Sequence, residues 1–168
     1  MNPVDAARNA KEHNNQGVIF LNEGDFYAAV REFEIAIGLN PNTQATSVYY
    51  NNLGRAYMEM YRLTNDRRLL PTAQFVFERA VLQDCMNISY YQNLVDTYDK
   101  QGILDTKLNF LLENVKKNPY NQVIAGLIYL KQNKIGAAIT ILDDFCARNP
   151  DLAIVDDLKR LIKTYDII

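Results

Sequence analysis

Residues 17–41 read GVIFLNEGDFYAAVREFEIAIGLNP, and this stretch decides the fold. Gly17 is followed at set offsets by Gly24, Ala29, Phe33, Ala36 and Pro41. The same offsets from Gly126 give Asn133, Ala138, Leu142, Phe145 and Pro150. A recurrence of this length, with small and aromatic residues in fixed places, marks a helical solenoid of stacked hairpins. Function in a solenoid lies on the groove that stacking creates, so the chain points to binding rather than to a catalytic constellation.

Outward from that stretch, apolar residues recur with helical spacing along almost the whole chain, without strand-like alternation. Asn2-Pro3 is a helix start, a capping side chain followed by proline at the first helical position. The first helix stops near Asn22–Asp25, and the second, from Phe26 to Leu39, ends at Asn40-Pro41. A second hairpin opens at Thr46-Ser47. A third turns at Gln101-Gly102 and closes before Asn118-Pro119. The fourth begins near Tyr120, turns near Asn133-Lys134 and closes before Asn149-Pro150. A last amphipathic helix runs from Asp151 to about Tyr165, with Leu152, Val155, Leu158, Leu161, Ile162 and Tyr165 on one face. It reads as a terminal cap or a docking helix for another subunit. The expectation is all-α, nine helices in one domain over 1–168, with repeats at about 3–42, 46–87, 88–118 and 119–150 and a capping helix at 151–166.

Composition narrows the function. With 18 Lys+Arg against 20 Asp+Glu the net charge is −2, leaving no basic excess to neutralise phosphates, so no nucleic-acid partner is expected. Cys85 and Cys146 each sit in an apolar segment read as helical, without a C-x-x-C pair. They are expected to be free, buried thiols, with no metal and no cofactor. The first residues carry neither a basic n-region nor an apolar run, no membrane span is expected, and the default location is cytoplasmic. There is one histidine, His13, no Gly-rich phosphate loop, no nucleophile elbow and no H-E-x-x-H, so no enzyme is expected. His13 reads as a packed imidazole. Asp143-Asp144 and Asp156-Asp157 read as solvated faces, since neighbours on a helix point in different directions.

These residues resemble the tetratricopeptide repeat. The first copy matches as Gly17, Phe20, Gly24, Ala29, Phe33, Ala36 and Pro41, the second as Leu53, Gly54, Tyr57, Ala73, Phe77 and Ala80. The third is looser: Leu94, Tyr98, Gly102, Leu111 and Pro119 fit, but Val95, Lys107 and Asn114 replace small residues. The fourth matches as Gly126, Tyr129, Ala138, Leu142 and Pro150. The resemblance implies a right-handed superhelix of antiparallel helix pairs, non-enzymatic, binding a protein or peptide partner.

It also implies a site. In the family the first helix of each repeat lines the concave surface, exposing residues two and three before the glycine and one after it. Those places hold Asn14 and Asn15, Asn51 and Asn52, then Gln92 and Asn93, six carboxamides on three repeats. A carboxamide both donates and accepts, matching a peptide backbone. Such a row resembles the asparagine ladder by which some family members hold an extended chain. The competing possibility is that the amides solvate the groove or bond between repeats. Arg55 is the single cation expected in the groove, with Asp96 as a competing partner. The fourth repeat breaks the row with Val123 and Ile124, then Leu127 and Leu130. That apolar end suits either an anchoring side chain or the last helix. The family's carboxylate clamp for chaperone tails is not expected. Its positions hold Asn14, Val18, Asn52, Ser89 and Asn93, and only Asn52 fits.

Gly54 and Ala73 stand seven residues further apart than Gly17 and Ala29 do. Seven residues is close to two helical turns. One added turn on each helix predicts a protruding tip with Arg62, Arg67 and Arg68 as a basic knob. Besides a peptide binder, the sequence leaves open a self-assembling or structural subunit, as a homo-oligomer, and a targeting module of a larger protein.

Overall fold

The computed structural model describes residues 1–165; position 166, the expected end of the capping helix, lies outside the described residues. Every regular element among the described residues is an α-helix. In order they are α1 (Pro3–Glu23), α2 (Phe26–Leu39), α3 (Gln44–Thr64), α4 (Leu69–Gln83), α5 (Ile88–Gln101), α6 (Leu104–Glu113), α7 (Asn121–Lys131), α8 (Ile135–Arg148) and α9 (Ile154–Lys163). They form two compact units, Met1–Asp84 and the chain from Cys85 onward.

In the first unit the caps are local chemistry. The Asn2 side chain accepts from the Asp5 amide at 2.9 Å, with Pro3 opening the helix. Gly24 ends α1 at φ 82°, in the left-handed region open to glycine at little cost. Asp25 then caps α2 through the Ala28 amide at 3.0 Å. The two helices cross where the repeat places its glycine. A Cβ on Gly17 would stand 2.6 Å from the fully buried Phe33 ring, and one on Gly54 would stand 2.5 Å from Phe77. Each hairpin therefore closes by setting an aromatic ring against bare backbone. Stacking of the hairpins buries Leu21, Ala29, Phe33, Leu53, Ala56 and Val76 as one core, as α2 packs on α3.

The long second hairpin differs from the expected turn on each helix. α3 runs ten residues beyond Gly54, where α1 runs six beyond Gly17, which is about one extra turn. α4 starts only one residue earlier, relative to Ala73, than α2 does relative to Ala29. The remaining residues widen the loop, where Asn65 takes φ 55° and stops α3. Arg62 pairs with Glu59, and Arg68 forks onto Asp66, with Nη2 at 2.8 Å. Two of the three cations of the expected basic knob are thus neutralised by local carboxylates.

In the second unit the fourth repeat keeps the crossing, with Gly126 against the buried Leu142 side chain. The third repeat has Val95 in the glycine's place, 3% exposed. Its second helix, α6, is only ten residues long and is followed by turns through 120. α9 begins at Ile154, three residues later than expected, because 151–153 form a turn. It buries Ile154, Val155, Leu158 and Ile162, packs on α8, and reaches α5.

Cys85 and Cys146 are both free. Cys146 is buried on α8, whereas Cys85 is half-buried in the turn after α4, not on a helix; its carbonyl accepts from Tyr91 Oη at 2.8 Å. Asp144 is no merely solvated carboxylate. Gln122 Nε2 donates to it across α7 and α8 at 2.7 Å, and Arg148 adds an ion pair at 3.0 Å. Gln122, then Arg148, hold Asp144 below the usual carboxylate range. A depressed folded-state pKa contributes stability above the unfolded value, near 4, and that contribution is lost as pH falls through the folded value. Acid denaturation followed by circular dichroism is expected to start at lower stability, and to show a shallower pH dependence below about pH 4, in Gln122→Leu than in the wild type.

Candidate functional site

The predicted row divides by environment. In the first unit Asn14 and Asn52 are 7% and 6% exposed, and Asn52 Nδ2 donates to Asn14 Oδ1 at 2.9 Å, joining α1 to α3. Arg55 Nη1 donates to Asn52 Oδ1 at 3.3 Å. These two carboxamides bond between repeats, one of the two possibilities the sequence left open. Asn15 and Arg55 are exposed and Asn51 is half-buried. Arg55 lines a cleft of about 430 Å³ together with the apolar Leu21 and Phe26 and the acidic Glu23 and Glu59.

In the second unit Gln92 is exposed and Asn93 half-buried, and both line a cleft of about 420 Å³. The cleft also draws on Asp96 of α5 and on Leu127, Leu130 and Lys131 of α7. Lys131 Nζ lies 2.5 Å from Asp96 Oδ1 and 4.0 Å from Asp99, and the Asp96 contact raises the lysine's pKa. Asp96 is thus committed to Lys131, and Arg55 bonds Asn52; the expected competition of Asp96 for Arg55 gives way to these pairs. Ile124 is half-buried and is not among the residues lining this cleft.

The sequence left the last helix open as an occupant of this apolar end, but three participants were not named from it. Lys131 belongs to the cleft wall, and Leu161 and Tyr165 of the α9 segment line the same cleft. The signal was present: Leu161 and Tyr165 are four apart on the apolar face of the helix expected over 151–166, although α9 itself ends at Lys163 and Tyr165 lies in the turn after it. His13 is half-buried and meets Glu32 of α2 at 2.5 Å, a polar partner that its reading as a packed ring did not include. Among the described residues no three His, Cys, Asp or Glu side chains group as metal ligands, and no helix is long and apolar enough to cross a membrane.

The class of fold is a series of antiparallel helix pairs, three of which cross at a glycine. No family model and no curated protein matches the sequence. Solved structures do match. A tetratricopeptide repeat protein from Parabacteroides merdae superposes with TM-score 0.55 at 19% identity, covering 95% of this chain and 62% of that one. The protein MamA gives TM-score 0.52 at 18% identity, covering 93% of this chain and 85% of its own. This chain therefore spans less than two thirds of the first of these proteins. The fold is that of the tetratricopeptide repeat.

Proposed function

We propose that this chain is a non-enzymatic protein-interaction module that holds an extended segment of a partner protein on the first-helix faces of its repeats. One observation carries the reading. In each unit a cleft of similar volume lies beside first helices and a predicted groove residue lines it: the cation Arg55 in one unit, without the four carboxamides of that unit, and the row members Gln92 and Asn93 in the other. Exposed Asn15 adds a donor and an acceptor on the same helix as Asn14, and half-buried Asn51 adjoins Asn52 on α3. Ile124 remains a lesser candidate, as an apolar neighbour of the row. A protein partner in the cytoplasm, met by four repeats acting as one domain, completes the proposal.

The test uses the exposed members, because Asn14 and Asn52 support the fold. Asn15→Ala combined with Gln92→Ala is expected to lose a partner that the wild-type chain captures, with helical content and melting temperature unchanged. Retention of the same partners by both forms would contradict the reading. Self-association is a second reading, favoured by large apolar side chains exposed on second helices: Tyr27 on α2, Phe75 and Leu82 on α4, Phe110 on α6. Sedimentation equilibrium separates the two, since a concentration-dependent mass supports assembly and a constant monomer mass supports the binder.

A further inference from the structure

We propose that α9 completes a binding site in the second unit, one that takes an uncharged extended peptide segment carrying a large aliphatic or aromatic side chain. The inference rests on the peptide-binding reading above and names the ligand class and a wall that the row does not contain.

Three walls of different chemistry meet at the cleft of about 420 Å³. α5 contributes the exposed carboxamide of Gln92, able to donate to a peptide carbonyl and accept from a peptide N–H, with Asn93 beside it in the lining. α7 contributes Leu127 and Leu130. The α9 segment contributes Leu161 and Tyr165, both half-buried, while its other apolar residues, Ile154, Val155, Leu158 and Ile162, are spent in the core. Leu161 on α9 and Tyr165 in the turn after it are therefore the apolar residues of this segment outside that core. A plain cap needs only the core residues; these two side chains give the apolar wall of α7 a facing surface, which a one-sided groove lacks.

Size and charge define the occupant. The volume lies within the range of ordinary ligand clefts. It is about that of a single turn of helix, which suits a short extended segment rather than a docked helix. The charged groups of the cleft, Asp96 and Lys131, are already paired at 2.5 Å. An ionic ligand would have to break that pair, whereas an apolar side chain beside neutral backbone groups would not. A few side chains in well-packed, desolvated pockets, aromatic ones prominent among them, carry most of an interface's affinity.

A random heptapeptide library displayed on phage is the probe, selected against the full chain. Enriched peptides are expected to share one large aliphatic or aromatic residue without a charged neighbour on either side. Enrichment is expected to fall at least tenfold on the Leu161→Ser/Tyr165→Ser variant and to survive Tyr165→Phe, which keeps the wall. Because loss of the wall must be distinguished from loss of the helix, Leu161→Met serves as a variant that fills the site and leaves enrichment in place. Melting curves confirm that each protein is folded. Peptides that depend on Gln92 or Asn15 but are indifferent to Leu161→Ser/Tyr165→Ser would overturn this site while leaving the peptide-binding reading intact. Enrichment of charged motifs would overturn it likewise. The absence of any enriched peptide would overturn both.

Discussion

Phe77→Ala is expected to destabilise the first unit by about 3–5 kcal/mol, the range for removing a fully buried aromatic ring. The ring is 1% exposed and lies directly over Gly54, where an added Cβ would be 2.5 Å from its edge. That proximity makes a sharper expectation than the single loss. Gly54→Ala alone should cost about 1–3 kcal/mol, because the methyl group overpacks a ring with nowhere to go. In the Phe77→Ala background the same change should stabilise, since the methyl enters the cavity left by the ring and alanine is the better helix former. Urea denaturation of the four proteins measures the cycle. A Gly54→Ala effect of the same sign in both backgrounds would show that the glycine is not there to admit the ring.

Asn52→Ala is the second large effect. The substitution removes the donor to Asn14 Oδ1 and the acceptor for Arg55, and Asn14 is left 7% exposed with its carbonyl unpaired. Losing one partner of a buried hydrogen bond costs about 1–3 kcal/mol. Asn15→Ala, one residue along on the exposed face, should stay within about 0.5 kcal/mol of the wild type. Urea midpoints of the two variants check the contrast. Equal, small effects would mean that the Asn14–Asn52 bond contributes nothing net.

That contrast shows where the sequence was readable. The register of glycine to opposing side chain is fixed by sterics that act at one point, so Gly17 and Gly126 stand at the same spacing from Phe33 and Leu142, while Gly54 meets Phe77 once the seven added residues are counted. The Asn2 and Asp25 caps were equally local. Which carboxamide turns inward was not local. Adjacent positions on a helix point about 100° apart, and the member that meets the next repeat depends on how two first helices stagger. In the first unit that stagger joins the residue three before Gly17 to the residue two before Gly54, so neither offset is wholly a groove position. Long-range placement was likewise hidden in α9, whose amphipathic face was clear but whose reach to α5, and hence to Gln92 and Asn93, was not. The seven added residues of the second hairpin were countable, but their division between helix and loop turned on Asn65 adopting a left-handed conformation that stopped α3.

The most direct test of a first-helix binding face is hydrogen exchange on the full chain, alone and with its captured partner, read by mass spectrometry. Slowed exchange on α1, α3 and α5 around Asn15, Arg55 and Gln92 is the predicted result. Protection confined to the second helices around Tyr27, Phe75, Leu82 and Phe110 would place the partner on the other face and contradict the account.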